Sequence, residues 1–384
     1  MSSRSSRAIL EKLVGFSSIS SRSNRDLIDW VRGYLAEHGV DAAILPSPDG
    51  KKANLYATIG PDVAGGVVLS GHSDVVPVEG QAWSTDPFVL TERDGRLYGR
   101  GSCDMKGFLA SVLAAVPEMQ AAPLARPLHI AMSYDEEVGC LGAPGMIATL
   151  GRDRPKPSVV IVGEPTDMKV VSAHKGITVL KVTVTGYETH SSQTHRGVSA
   201  VMVAARLVAK LEQMARARSV RPQPGSRFDP PYTSIHVGLF QGGTAVNIIA
   251  GHAEFFCDIR NLPEESALDY ITEFEEWCRA DVLPGMRARH PACDIVTELM
   301  SQAPGLRLDA ESEAELFVRA ITGDNALRVV PFATEAGQFQ QADMAVVVIG
   351  PGSIDQAHQP DEFVEIAQLE ACDAFLRQVI ERCR

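Results

Sequence analysis

The 384 residues contain no CxxC pair, no run of about 18 apolar residues, no internal repeat, no low-complexity tail and no excess of positive charge. Each absence removes a class of function. Lys plus Arg number 36 against 48 Asp plus Glu, a formal net charge of −12, so the basic stripe needed for nucleic acid or an anionic membrane surface is missing. Small molecules, or a second copy of the chain, are the expected partners. The seven cysteines (Cys103, Cys140, Cys257, Cys278, Cys293, Cys372, Cys383) are odd in number and scattered, in a chain large enough to fold without staples. They read as free, buried thiols of a reducing cytoplasm. The opening MSSRSSRAILEKLVGF has no apolar core behind its basic residues, so the expectation is a cytoplasmic chain rather than a secreted or membrane-spanning one.

What is present is an ordinary globular composition, 45% hydrophobic and 22% charged, at a length that suggests two domains. Residues 25–38 place Leu27, Ile28, Val31, Tyr34 and Leu35 at helical spacing, with Asn24 positioned to cap the start and Gly39 to end the helix. The uninterrupted apolar runs Val67 to Leu69, Leu128 to Met132, Val159 to Val162 and Ala345 to Ile349 read as strands covered on both faces. They are interleaved with helical stretches such as Gly107 to Met119. That pattern predicts an α/β catalytic domain with a mostly parallel sheet. The middle of the chain differs: strand 177–185, helix 197–214, strands 233–240 and 245–260, helix 264–282, strand 293–300. This β-α-β-β-α-β order is ferredoxin-like. The expected division is a metal-binding domain of residues 1–175 and 303–384, split by an inserted α+β domain of residues 176–302. Residues 219–231 form a long loop within the insert, and 301–305 a return linker.

The residues that follow each apolar run are the informative ones. The expected strands lead into Ser70-Gly71-His72-Ser73-Asp74, Ser133-Tyr134-Asp135-Glu136-Glu137, Gly163-Glu164-Pro165 and Gly350-Pro351-Gly352, with His358 shortly after. Open α/β sheets bind their ligands outside the carboxyl edge, where these residues fall. Asp104 joins them from the loop GRGSCDMKG. So many carboxylates at one edge raise one another's pKa unless cations compensate. Two imidazoles with several carboxylates and no thiolate pair describe a nitrogen and oxygen site for divalent zinc, cobalt or manganese, and two ions fit better than one.

With these residues in view, the chain resembles the co-catalytic zinc amidohydrolases and exopeptidases, a family that includes aminoacylases, succinyl-diaminopimelate desuccinylases, glutamate-type carboxypeptidases and acetylornithine deacetylases. The likeness covers nearly the whole chain and is most specific in LSGHSDVVPV, GRGSCDMKG, SYDEEVGCLGA, GEPT and GPGSIDQAHQPDE. It implies two divalent ions, zinc first and cobalt second, with Asp104 bridging them, His72 and Glu164 on one, Glu137 and His358 on the other. It further implies Asp74 behind the His72 ring, Glu136 as general base, and a cis peptide after Asp104.

In the insert, Gly186-Tyr187-Glu188-Thr189-His190-Ser191-Ser192 resembles the family's GxxGHSS segment, whose histidine reaches the partner subunit's active site and donates to the oxyanion. That implies a homodimer and assigns the role to His190. Thr189 and Thr194 depart from the family's usual glycine and proline, leaving His195 as the neighbouring alternative. Lys175, Asn247 and Arg260 stand where relatives hold the substrate's carboxylate end, a task an Arg fork suits. Thr334-Glu335-Ala336-Gly337 resembles a substrate-facing loop. Together with Ser172 to Ile177 and the unbroken Gly350 to Glu362 segment, it is most similar to the branch that deacetylates N2-acetyl-L-ornithine in arginine biosynthesis. Other N-acyl-amino-acid hydrolases, acting on succinyl-diaminopimelate, acetylcitrulline, formylornithine or general aminoacylase substrates, are the alternatives. A metal-free binding protein on the same fold is the distant one.

Overall fold

Strands built mostly of aliphatic residues leave no face for water, so they require cover on both sides. In the computed structural model, which describes residues 5–384, four such strands run parallel in the order Leu128–Ser133, Val67–His72, Val159–Val162, Ala345–Val348. Their residues are buried along almost their whole length. Two further strands, Ala53–Ile59 and Ala42–Pro46, extend the sheet antiparallel beyond Leu128–Ser133. The sheet is therefore mostly parallel, as expected, with an antiparallel margin that the apolar runs did not announce. The first four residues of the segment expected to open this domain lie outside the described residues.

Helix Lys106–Ala121 buries Phe108, Leu109, Val112 and Leu113 in one core with Val67, Leu69, Ile130 and Met132 from the strands. Helix Arg25–Glu37 forms at the expected place and buries the five apolar residues read from its spacing. Its start corrects the sequence expectation. Asn24 makes no side-chain cap; its amide accepts the Ala53 N–H and donates to the Ala53 carbonyl, both at 2.9 Å, and also donates to Ser73 Oγ at 2.9 Å. A polar side chain buried beside a strand end is worth more there than at a helix end that water can reach.

The chain divides into two compact units. One comprises the chain up to Ala173 with Leu306–Arg328 and Thr334–Arg384; the other comprises His174–Gly305 with Val329–Ala333. The last segment departs from the expectation that everything after residue 303 stays with the first domain, because the Lys175 N–H donates to the Val330 carbonyl at 3.3 Å. In the second unit four antiparallel strands lie in the order Ser234–Gly242, His252–Arg260, Ile177–Thr185, Asp294–Ala303. Helices Ala200–Ser219 and Ala267–Trp277 pack Leu207, Leu211 and Phe274 on the face carrying Leu180, Val182 and Val184.

Three local readings are corrected here. Residues 243–251 are a loop and not the start of a strand, Ser301–Ala303 belongs to the last strand and not to a linker, and the second helix continues through Cys278–Val282 into Leu283–Arg289. All seven cysteines are buried and unpaired. Among the described residues no helix is long and apolar enough to cross a membrane.

Candidate active site

The parallel strands carry their polar residues to one edge because close backbone contacts fix where each strand stops. A Cβ on Gly350 would stand 2.1 Å from the Gly163 carbonyl oxygen, and one on Gly163 would stand 2.1 Å from the Phe108 ring. Only glycine fits either place, so the turns leading to Glu164 and to residues 351–358 leave the sheet side by side. Asp104 arrives from another direction, immediately before helix Lys106–Ala121, and the Asp104–Met105 peptide is cis.

Asp104 is the centre of what these elements bring together. Its Oδ1 lies 3.0 Å from His72 Nε2 and its Oδ2 lies 3.3 Å from His358 Nε2. The same His358 nitrogen is 3.0 Å from Glu137 Oε2. Two donor groups result, His72 with Asp104 and Glu164, and Asp104 with Glu137 and His358, each with ligand atoms within 4.8 Å of one another. The first is buried throughout; the second opens outward through His358.

The chemistry of the two sets is that of a cation site. His72 Nδ1 lies 2.9 Å from the Asp74 carbonyl, which can only accept, so Nδ1 carries one ring proton, and Nε2 meets Asp104 and Glu164 with either a second proton or, beside a cation, a lone pair. A lone pair facing carboxylate oxygens needs a positive charge among them. The same holds where His358 Nε2 meets Asp104 and Glu137, and Glu137 Oε1 is buried with no hydrogen-bond partner. Neither set includes a thiolate, so divalent zinc, cobalt or manganese fits the residues present.

The groups also bear one another's electrostatic cost. Burial, with the Glu137 and Asp104 charges and against the pull of His72, pushes Glu136 up to about 8. Burial and the Asp104 charge push Glu137 to about 7. Burial, then Asp104 and Glu136, hold Glu164 well above the ordinary carboxylate range. Burial alone would raise Asp104 too, but the hydrogen bonds from His358 and His72 hold it below that range. The hydrogen bonds that His358 donates to Asp104 and Glu137 in turn raise it to about 10.

Asp74 departs from its expected arrangement. Its Oδ1 is 3.8 Å from His72 Nδ1, beyond a hydrogen bond, and its backbone carbonyl orients the ring instead. The carboxylate accepts the Ser20 hydroxyl at 2.7 Å, the Glu136 N–H at 3.2 Å and the Glu137 N–H at 3.3 Å. Asp74 thus fixes the imidazole with its main chain and the Glu136–Glu137 turn with its side chain. Glu136 itself is half-buried, and Cys140 Sγ donates to its Oε1 at 3.1 Å. Sequence reasoning missed Ser20, and it met Cys140, Glu335 and Glu362 only as a buried thiol, as part of the Thr334 to Gly337 loop and as the end of the Gly350 to Glu362 segment, without the partners they have here.

Thr334 to Gly337 is not an open loop. Glu335 accepts the Ser70 and Ser133 hydroxyls at 2.6 and 2.7 Å, and Gly337 is buried in helix Ala336–Gln341. His190, Lys175, Asn247 and Arg260 lie in the second unit. His190 is exposed and bridges Ile248, and the Ser191 N–H donates to the Asn247 carbonyl at 3.0 Å, so His190 and Asn247 sit on adjoining segments. The Ser192 N–H donates to His190 Nδ1 at 3.2 Å, which leaves the ring proton on Nε2. Lys175 is buried and its ammonium donates to the Tyr232 carbonyl at 2.7 Å. Arg260 turns its guanidinium onto Asp258, with Nε 3.0 Å from Oδ1. His195, the alternative to His190, is exposed.

Residues 68–382 match the family model described as Peptidase family M20/M25/M40. The chain is 37% identical over 380 residues to an acetylornithine deacetylase of Myxococcus xanthus, covering 97% of this chain and 96% of that protein. It is 35% identical over 363 residues to the Proteus mirabilis enzyme of the same name, covering 94% and 91%. Among solved structures it superposes on an M20 family metallo-carboxypeptidase from Sulfolobus solfataricus with a TM-score of 0.79 at 17% identity, covering 98% and 99% of the two chains. It also superposes on a dinuclear metal binding peptidase of the M20 family from Bacillus subtilis, with a TM-score of 0.64 at 14% identity, covering 98% and 96%. A family match over most of the chain, relatives of this identity along nearly its full length, and the shared fold agree: the chain belongs to peptidase family M20/M25/M40.

Proposed function

We propose that this chain hydrolyses the amide of N2-acetyl-L-ornithine to L-ornithine and acetate, using two divalent cations, zinc first and cobalt second. The observation that carries the reading is the single buried carboxylate of Asp104 shared by two donor sets. The choice of acyl amino acid draws on the acetylornithine deacetylases that the chain resembles along nearly all its length. His72 and Glu164 would hold one ion, Glu137 and His358 the other, with Asp104 between.

When bound, the ions acidify a water and polarise the substrate's carbonyl. The chain's own residues do the rest. Glu136, within the charge field of both sets and steadied by the Cys140 thiol, takes one proton as the water oxygen adds to the acetyl carbon. It returns that proton to the nitrogen as the C–N bond breaks, and the water's second proton passes from the new carboxyl group to the amine, so acetate and an ammonium leave. Cations beside Glu136 bring its raised pKa back down, which keeps it a base at neutral pH. His190 presents an Nε2–H, the donor that a developing oxyanion needs.

In this reading the second unit is a dimerisation and lid domain, and His190 acts on the partner's substrate in a homodimer. The apolar side chains Val296 and Met300, roughly half exposed on strand Asp294–Ala303, support a covered surface there. Asn247, and Arg260 once released from Asp258, receive the substrate's α-carboxylate, with Lys175 and Gly337 as the other candidate contacts. The seven unpaired thiols suit a reducing cytoplasm.

The test is a rate panel on N-acetylornithine, N-acetylmethionine and N-succinyl-diaminopimelate with added zinc or cobalt. Fastest turnover of the first is expected. Slow turnover of it beside fast turnover of either other would make the chain a different N-acyl-amino-acid hydrolase, and purified protein that takes up no metal would overturn the whole reading.

A further inference from the structure

We propose that Glu362 is a positioning residue whose carboxylate clamps the Arg100–Asp104 loop and thereby fixes the aim of Asp104. The carboxylate is fully enclosed and is met by four N–H donors. Oε2 accepts Arg100 Nη1 at 2.7 Å and the Gly101 N–H at 3.0 Å; Oε1 accepts the Cys103 N–H at 2.9 Å and the Asp104 N–H at 3.0 Å. The Arg100 guanidinium and three backbone N–H groups of the loop are thus tied to one side chain, the last through the backbone nitrogen of Asp104 itself.

Glu362 stands four residues after His358, so the clamp also joins two loops that deliver ligands to the same donor set. Its own backbone carbonyl accepts the Gly99 N–H at 2.9 Å. The strand that follows, Phe363–Glu365, pairs antiparallel with Arg96–Tyr98 just before the clamped loop. From the other side, Arg100 Nη1 also reaches the Gln359 carbonyl at 3.3 Å, next to His358. These contacts therefore tie Asp104 to the His358 loop directly, in addition to the sheet strand that leads into that loop.

Stability alone is a poor account of this arrangement. Replacing a buried Arg–Glu pair by apolar residues is often neutral or stabilising, whereas no apolar side chain could accept three backbone N–H groups in a turn. The four donors leave the carboxylate no capacity to bind an ion itself, which separates Glu362 from the ligands. What it supplies is geometry, the task of groups that lie behind metal ligands.

This inference rests on the two-cation reading above, and the experiment separates the two. Protein stripped with a chelator is titrated with zinc by calorimetry and with cobalt by visible absorption. Wild type is expected to take up two ions; if it takes up none, the functional reading falls and this one with it. Glu362→Gln places an amide NH2 against an N–H donor, so its affinity for at least one ion should fall about 10–100-fold with a changed cobalt spectrum. Leu35→Ala, a core truncation in helix Arg25–Glu37, should lower the melting temperature and leave the titration unchanged. Glu362→Asp, which keeps the charge one methylene short, should fall between. Should the Gln variant fail to fold, the Asp variant is compared with Leu35→Ala in the same way. Wild-type affinity and spectrum in a folded Glu362 variant, or equal losses in Leu35→Ala, would refute the positioning role while leaving the two-cation reading intact.

Discussion

Asp74→Asn separates two accounts of how the His72 ring is held. The structure gives the ring to the backbone carbonyl of Asp74, which the substitution leaves in place, and gives the carboxylate to Ser20 and to the N–H groups of Glu136 and Glu137. An amide can accept on one side only. Its least costly orientation turns the NH2 toward the Glu136 N–H, because the other side serves both Ser20 and Glu137. One long charge-assisted hydrogen bond is then lost and replaced by two facing donors, and the other two weaken as the negative charge disappears. At roughly 1.5–3 kcal/mol for a hydrogen bond to a charged group, the loss falls on the turn that places Glu136. That energy corresponds to about 10–100-fold in kcat if it is spent on aiming the base, since about 1.4 kcal/mol is tenfold in rate. Steady-state kinetics at saturating metal should show that drop, and calorimetry should show the ion assigned to His72 and Glu164 binding as in wild type. The reasoning is refuted if kcat at saturating metal is unchanged and the whole effect is weaker metal binding. That result would mean that the carboxylate, 3.8 Å from Nδ1, orients the ring after all.

Two more predictions follow from the same geometry and from burial. Glu136→Gln should keep both ions and lose about 10²–10⁴-fold in turnover, and activity near wild type would remove Glu136 from the base role. His129 is fully buried, with Nδ1 on Thr58 Oγ1 at 2.9 Å, and burial lowers it from 6.5 to about 4. The unfolded chain therefore binds the extra proton first. Stability from this group is complete above about pH 6.5, is lost as pH falls toward 4, and amounts to about 2 kcal/mol of loss by pH 5. Urea unfolding at pH 7.5 and pH 5 should show wild type losing that much more than His129→Gln; equal losses would refute it.

The sheet and the cluster were legible because both write themselves in short, local patterns. A short, mostly aliphatic run leaves few options besides a covered strand, and the residues that follow it land at the carboxyl edge whatever the rest of the chain does. His72, Glu137, Glu164 and His358 were found that way. Asp104 precedes a helix rather than following a strand, and it was placed by its loop motif. What stayed hidden depends on partners far away in sequence. Asn24 looks like a helix cap from its neighbours, yet its amide is committed to Ala53 and Ser73. Asp74 looks like the carboxylate behind a histidine, yet its side chain is committed to residues 20, 136 and 137. A local pattern shows that a polar group needs a partner, and only the packed chain shows which one wins.

The acidic residues around the centre therefore divide by what already faces them. Asp74, Glu335 and Glu362 are buried carboxylates whose oxygens accept hydroxyl or N–H donors from the chain itself. Asp104, Glu136, Glu137 and Glu164 instead face imidazoles and one another, and Glu137 keeps a buried oxygen with no partner at all. The first group is satisfied by folding alone and stiffens the loops. The second can be satisfied only by protons or by cations, because its oxygens face imidazoles and other carboxylates among the described residues. A net charge of −12 hides this division, since both groups count alike in composition. Carboxylates that hold the scaffold and carboxylates left for protons or cations are told apart by their donors, and at this sheet edge that distinction separates the positioning residues from the candidate ligands and the candidate base.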